Sequence, residues 1–161
     1  MKKKVYIETT IPSFYYNQRS EPELVAMMHW TREWWDAHRI LCDPVSSTAV
    51  IDELMQGDHP LKSEKLALLR DIPLYDPSDE IAEIVSVYIA HKVMPRHPSS
   101  DALHLAMASF YACDILLTWN CIHLANANKF GHIQRVNAML GLKIPILATP
   151  NQLLKEYDES S

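Results

Sequence analysis

Short apolar runs alternate along the chain with longer segments in which apolar residues recur at helical spacing. Residues 3–8 are β-branched and aromatic, which predicts a buried strand closed by a turn. Pro22 stands where a first helical residue is favoured, and an apolar periodicity follows it. A long helix is therefore predicted over residues 22–39, and a second strand over residues 40–42 that Pro44 stops.

The rest of the chain repeats this alternation. Hydroxyl side chains at residues 46–48 are predicted to cap a helix that ends at Gly57. Residues 101–112 form a helix that is apolar nearly all round and so central, and the apolar run at residues 115–118 is typical of an interior parallel strand. Strands alternating with helices predict an α/β domain whose parallel sheet is covered on both faces. Further helices are predicted over residues 61–72, from residue 78 to residue 89 and up to residue 140, with a last strand over residues 144–147.

Length and composition favour one globular domain. The chain has 161 residues, of which 48% are apolar and 22% charged, so neither a disordered nor a fibrous chain is expected. We expect a single domain over residues 1–156 and a frayed tail over residues 157–161. The only glycines, Gly57, Gly131 and Gly141, are too far apart to form a Gly-rich phosphate-binding loop.

Net charge and cysteine content limit the kind of nucleic-acid contact and the cellular compartment that we expect for this protein. Fifteen basic residues against 20 acidic ones give a net charge of −5, so any contact with nucleic acid must be local. Three cysteines, an odd number in apolar or strand-like stretches, indicate a reduced compartment without a disulfide framework. No apolar stretch is long enough to cross a bilayer, so a cytoplasmic protein is expected.

Four polar residues stand at or near predicted strand ends or at the openings of the helices that follow. They are Glu8, Glu53, Asp101 and Asn120. Ligand sites of parallel sheets gather at the carboxyl ends of the strands, and oxygen ligands suit Mg²⁺ or Mn²⁺. Such an ion can polarise a phosphoryl oxygen and activate water, which makes a metal-dependent phosphodiesterase one hypothesis.

Each of the four residues also has a simpler interpretation. Glu8 can be a solvated acid in a turn, and Asp101 can offset the dipole of the helix that it opens. Glu53 is preferred to its neighbour Asp52, one of which is expected to face solvent. Asn120 can brace the turn after its strand, because asparagine side chains often bond nearby backbone.

Residues around these four are candidates for orienting them. Thr9, Ser46 and Thr118 carry hydroxyls that can position carboxylates, although capping explains Ser46 equally well. His104 follows Asp101 by one helical turn and is interpreted as a hydrogen-bonded core histidine, with proton transfer as the less favoured alternative.

Four segments resemble, in order, the site-bearing blocks of PIN-domain proteins, and of VapC-like toxins in particular. The resemblance implies a three-layer α/β/α sandwich with a central parallel sheet, an acidic Mg²⁺ or Mn²⁺ site and endoribonuclease activity. The segments are VYIETTIPSFY (residues 5–15), SSTAVIDELMQGD (46–58), SDALHLAMA (100–108) and ILLTWNCIHLANA (115–127).

By position in these blocks, Glu8, Glu53 and Asp101 match the family's acidic residues and Asn120 matches its fourth position. Two departures are visible: Glu8 replaces the commoner aspartate, and Asn120 replaces an acidic residue with a neutral amide. With three formal negative charges we expect one metal ion, held by Glu8, Glu53 and Asp101, and we expect Asn120 to help position water or the ion.

The resemblance also implies partners. We expect RNA as substrate, an antitoxin protein as partner and a homodimer, and no association with a membrane. Trp30 and other large side chains give the first long helix more apolar surface than one core face needs, which suits either core or a partner interface. The alternative is a PIN-fold binding or assembly module that is catalytically impaired, which Asn120 motivates.

Overall fold

A parallel sheet of five strands organises the protein, whose computed structural model describes residues 1–97 and 100–154. The strand order is β3-β2-β1-β4-β5, so the first strand lies at the centre. The sheet and the helices on it form the predicted three-layer α/β/α sandwich with a central parallel sheet. The strands are β1 (Lys4–Ile7), β2 (Asp43–Ser47), β3 (Leu74–Tyr75), β4 (Ile115–Leu117) and β5 (Ile146–Ala148).

The helices follow the predicted sequence of elements, with one addition. A short helix begins at Thr10, where the sequence indicated only a turn, and it holds Pro12 in its first turn, where a missing N–H costs nothing. The helices are α1 (Thr10–Tyr15), α2 (Pro22–Glu33), α3 (Thr48–Met55), α4 (Lys62–Leu68), α5 (Asp79–Ala90), α6 (Ser100–Phe110) and α7 (Ala127–Leu140).

The predicted second strand over residues 40–42 is wrong. The long helix continues from α2 through a π-helical turn, Trp34–His38, and a 3₁₀ turn, Arg39–Leu41, which occupies that position. The strand β2 starts only at Asp43 and contains Pro44, the residue that was expected to stop it.

Hydrogen bonding explains why Pro44 is tolerated inside β2. Successive N–H groups of a strand point to alternate sides. The N–H of Asp43 donates to β1 and that of Ser46 donates to Pro73 on the β3 side, so the nitrogen of Pro44 also faces the β3 side. Because β3 pairs with residues 46 and 47, no strand of the described residues lies opposite Pro44 and no ladder bond is lost there.

The core lies around β1 and α6. Val5, Tyr6 and Ile7 are fully buried, as expected for a central strand with helices on both faces. The helix α6 is buried over nearly its whole length, as its apolar sequence predicted, and packs against α5. Two of the tryptophans of the long helix, Trp34 and Trp35, belong to this core.

The remaining boundaries lie within two residues of the sequence prediction, except that α4 ends at Leu68, four residues before the predicted end at residue 72. Ser78 caps α5 and Gly141, with a φ of +71°, ends α7. The last strand starts at residue 146, two residues later than predicted. Among the described residues, no helix is both long and apolar enough to cross a membrane. The predicted tail at residues 157–161 lies outside the described residues.

Candidate functional site

The register of the sheet places Glu8 beside Thr118. Ile7 pairs with Leu117 in the parallel β1 and β4 strands, so the residues that follow them leave the sheet side by side. Glu8 is only 4% exposed. Its Oε1 accepts hydrogen bonds from the Thr118 hydroxyl at 2.6 Å, from the Thr10 backbone N–H at 3.1 Å and from the Thr10 hydroxyl. Glu8 is therefore a fixed buried carboxylate, and not a solvated acid in a turn.

The hydroxyls around Glu8 are not all those that the sequence suggested. Thr118 contacts the carboxylate, but the buried Thr9 hydroxyl has no hydrogen-bond partner among the described residues. Ser46 donates to the backbone carbonyl of Ile7 at 2.7 Å and so contacts no acidic side chain. The residue that sequence analysis missed is Thr10, whose role depends on the unpredicted helix α1.

Asp101 and Asn120 meet at the start of α6. Asp101 is 6% exposed, and its Oδ1 accepts a hydrogen bond from Asn120 Nδ2 at 2.9 Å. The Asn120 amide oxygen accepts the His123 N–H at 3.0 Å, and the Asn120 N–H donates to Thr118. Asn120 thus braces the turn after β4, as its simpler interpretation expects, and it also holds Asp101, a contact that the sequence did not predict. Its role at the fourth position of the site stays a prediction.

Burial sets the protonation behaviour of Asp101. Desolvation raises the pKa of its carboxyl group above the ordinary 3.8, and the negative charge of Glu53 acts in the same direction. His123, His104 and the Asn120 hydrogen bond oppose this increase in pKa without cancelling it. His123 was missed as a neighbour of Asp101, since nothing in its spacing signals the contact.

Glu53 is held by a buried chain of hydrogen bonds. His104 Nε2 pairs with Glu53 Oε1, and His104 Nδ1 lies 2.8 Å from the Tyr6 hydroxyl. The Tyr6 hydroxyl in turn lies 2.7 Å from Ser47 Oγ, which caps α3. His104 is 1% exposed, so it is the hydrogen-bonded core histidine that its position suggested. Its carboxylate partner was not predicted.

The choice between Glu53 and Asp52 follows from their directions on α3. Glu53 is partly buried, with 28% of its side chain exposed, and it points at His104. Asp52 is exposed. Of the two acids, Glu53 is therefore the one that faces the other candidate residues.

Three carboxylates act electrostatically on the buried His104 imidazole. Burial lowers the pKa of His104, but the hydrogen bond to Glu53 and the negative charges of Glu53, Glu8 and Asp101 outweigh burial, so the pKa is raised above 6.5. Of the three carboxylates, that of Glu53 bonds the ring directly. No lysine or arginine forms an ion pair with any of the three in the part of the chain that the structure describes.

The three carboxylates share one pattern of bonding. One oxygen of each accepts hydrogen bonds from the protein: Oε1 of Glu8, Oε1 of Glu53 and Oδ1 of Asp101. Within residues 1–97 and 100–154, no hydrogen bond reaches their other oxygens, which suit Mg²⁺ or Mn²⁺ as hard ligands. These described residues contain no cluster of three His, Cys, Asp or Glu side chains already gathered closely enough to hold a metal. The metal site thus stays a prediction.

Comparison with known proteins supports the fold. No protein-family model matches the chain, and no curated protein matches it. One chain of the crystal structure of VapBC2 from Rickettsia felis, bound to a DNA fragment from its promoter, superposes with a TM-score of 0.53. The match covers 91% of this chain and 98% of that one at 14% sequence identity. At this identity the likeness establishes a PIN-like fold.

Proposed function

We propose that the protein is a metal-dependent endoribonuclease of the PIN type that hydrolyses RNA phosphodiesters. Glu8, Glu53 and Asp101 hold one Mg²⁺ or Mn²⁺, and Asn120 positions Asp101. The observation that carries the proposal is the shared bonding pattern of the three acids: one oxygen is fixed by the protein and the other makes no hydrogen bond within the described residues. These other oxygens are not among the buried side-chain atoms of the described residues that lack a partner, so each is open to solvent and to a cation.

The protein's own groups supply positioning. When bound, a divalent cation polarises a phosphoryl oxygen and lowers the pKa of water. Thr10 and Thr118 fix the orientation of Glu8, His104 fixes Glu53 and Asn120 fixes Asp101. None of the three carboxylates has a lysine or arginine partner among the described residues, so their negative charge favours a cation at this edge of the sheet.

The fold also suggests a biological role, a cellular location and an oligomeric state. We propose that the chain is the toxin of a toxin-antitoxin pair, acts in the cytoplasm and forms a homodimer. The support is the PIN-like fold together with the likeness to a chain of VapBC2.

Cleavage of a panel of single-stranded and structured RNAs tests the activity. Cleavage is expected with Mn²⁺ and not with EDTA, and Asp101→Asn should reduce the rate by at least about a hundredfold if the residue is a ligand. Asp52→Asn is the matched control, because Asp52 is an exposed acid beside Glu53 and should be dispensable. Cleavage in EDTA, or undiminished cleavage by Asp101→Asn, would refute the proposal.

A second candidate function is a PIN-fold binding or assembly module without turnover. Two observations favour it: the neutral amide of Asn120 at the fourth position, and the His104 imidazole already paired with Glu53. Such a module would bind RNA or a protein partner with unchanged affinity in EDTA and would cut no RNA with any divalent cation. Metal-stimulated cleavage by the wild-type chain would exclude it.

A further inference from the structure

Three aromatic side chains cluster next to the candidate site. Trp119 stacks on Trp30 with ring centroids 6.3 Å apart and an interplanar angle of 27°. Phe14 packs on Trp119 in a tilted arrangement with centroids 6.0 Å apart. We name Phe14, Trp30 and Trp119 the aromatic platform.

The protein holds the centre of the platform rigidly. The indole N–H of Trp119 donates to the hydroxyl of Thr31 at 2.8 Å, and Thr31 is itself fully buried. The backbone N–H of Trp119 donates to the Thr10 hydroxyl at 2.8 Å. A large ring fixed in this way loses little conformational entropy when another ring stacks on the cluster.

One side chain connects the platform to the candidate metal ligands. The Thr10 hydroxyl that accepts from Trp119 donates to Glu8. Trp119 also directly precedes Asn120, which bonds Asp101. Trp119 is therefore joined to Glu8 through Thr10 and to Asp101 through its chain neighbour Asn120, which links the platform to both carboxylates.

The outer part of the platform is accessible. Trp30 is 39% exposed at the end of α2, while Trp34 and Trp35 on the same long helix are in the core. An exposed indole provides the stacking surface that an unpaired nucleotide uses.

We propose that the aromatic platform stacks an unpaired base of single-stranded RNA next to the bond to be cut. The inference rests on the proposed nuclease function and deepens it, because it assigns an unpaired nucleotide as the substrate feature that is recognised. Stacking also suits the charge of this chain: at −5 it offers no broad positive field, whereas stacking does not depend on net charge.

Fluorescence anisotropy of labelled RNA in EDTA, where no cleavage is expected, measures the contact. The probes are a short single-stranded RNA, the matched duplex and the same strand with abasic positions. Alanine substitution of a stacking aromatic residue weakens binding roughly 5- to 100-fold, so Trp30→Ala should lower the affinity for the single strand by that factor. Trp30→Phe keeps a ring and should retain most of the affinity.

Phe110→Ala is the matched control. Phe110 is an aromatic residue of nearly equal exposure, 38%, at the end of α6 opposite to Asp101. Its replacement should leave the affinity for RNA unchanged. The abasic strand tests the same point without any variant, because the wild-type protein should bind it at least about fivefold more weakly than the intact strand.

Two results would overturn the inference: equal binding of intact and abasic strands, and a Trp30→Ala variant that binds the single strand like the wild type. If that variant also has an altered oligomeric state, the platform is an interface between copies. If the wild-type chain nevertheless cuts RNA with Mn²⁺, base stacking on the platform is refuted and the nuclease proposal stands. Base-dependent binding without cleavage would support the platform and refute the nuclease.

Discussion

Asn120 donates a hydrogen bond to Asp101 over 2.9 Å, which joins the turn after β4 to the first turn of α6. The bond uses the one group that an aspartate at position 120 would lack, an N–H donor. The departure from the family pattern at Asn120 therefore has a structural consequence: Asp101 is held by a neutral partner.

Asn120→Asp should make the protein depend on metal for its stability. The substitution removes the donor and sets two carboxylates against each other, so in EDTA at neutral pH the free energy of unfolding should fall by about 1–3 kcal/mol. Mn²⁺ should increase the free energy of unfolding more in this variant than in the wild type, because the extra negative charge attracts the ion. Urea unfolding with and without Mn²⁺ measures both effects.

Asn128→Asp serves as the control for that change in charge, because Asn128 is exposed in the first turn of α7. Asn128→Asp should show neither the loss of unfolding free energy in EDTA nor the larger gain with Mn²⁺. An Asn120→Asp variant as stable as the wild type in EDTA would contradict the assigned hydrogen bond.

Thr118→Val should destabilise the protein through Glu8. Valine keeps the shape but leaves Oε1 of Glu8 without one buried donor and the Asn120 N–H without its acceptor. A loss of about 1–3 kcal/mol in the free energy of unfolding is expected. Thr118→Ser, which keeps the hydroxyl, should lose less than half as much in the same measurement, and equal losses would show that packing alone is responsible.

His104→Gln should lower stability most at acidic pH. The folded-state pKa of His104 lies above 6.5, because the hydrogen bond to Glu53 and three carboxylate charges outweigh its burial. The stabilisation of the folded protein by protonated His104 is therefore complete below pH 6.5. It is lost as the pH rises through the raised pKa that His104 has in the folded state. Denaturant unfolding in EDTA across this range should show the difference between wild type and His104→Gln shrinking as pH increases.

The matched histidine for that comparison is the exposed His29 on α2. His29→Gln should leave the pH dependence of stability as it is in the wild type. A His104→Gln deficit that grows with pH would reverse the assigned sign.

Asp101→Asn should stabilise the protein in EDTA while it abolishes activity. Burial raises the pKa of Asp101 above 3.8, so the folded state binds the proton more strongly than the unfolded state does. The free energy of unfolding consequently falls as pH rises above 3.8, whereas asparagine does not ionise and causes no such fall. Replacing the buried carboxyl by the neutral amide should therefore raise the free energy of unfolding by about 0.5–2 kcal/mol. Thermal unfolding at neutral and acidic pH should show the gain at neutral pH only.

The elements of the fold were largely predictable from sequence because their signals are local. The apolar run that forms β4 and the apolar α6 needed no knowledge of their neighbours. The strand around Pro44 was missed for the opposite reason: whether proline is tolerated depends on how far β3 extends beside it. The helix α1 was missed because Pro12 is a signal for a turn and also for a helix start.

The sequence indicated the acids of the candidate site and the Thr118 hydroxyl, but not most of the contacts among the site residues. Strand ends and helix openings pointed to Glu8 and Asp101, but the partners of these side chains depend on contacts between distant segments. The Thr10 hydroxyl and not that of Thr9 bonds Glu8, because α1 turns the chain at this point. No spacing in the sequence indicates that His104 meets Glu53, 51 residues away.

Calorimetric titration with Mn²⁺ tests most directly whether Glu8, Glu53 and Asp101 hold a cation together. One ion should bind per chain. Glu8→Gln and Asp101→Asn should each reduce the affinity for Mn²⁺ at least about tenfold, and Asp52→Asn should leave it unchanged. The absence of Mn²⁺ binding by the wild type at neutral pH, or an equal affinity in the wild type and all three variants, would contradict a shared cation site.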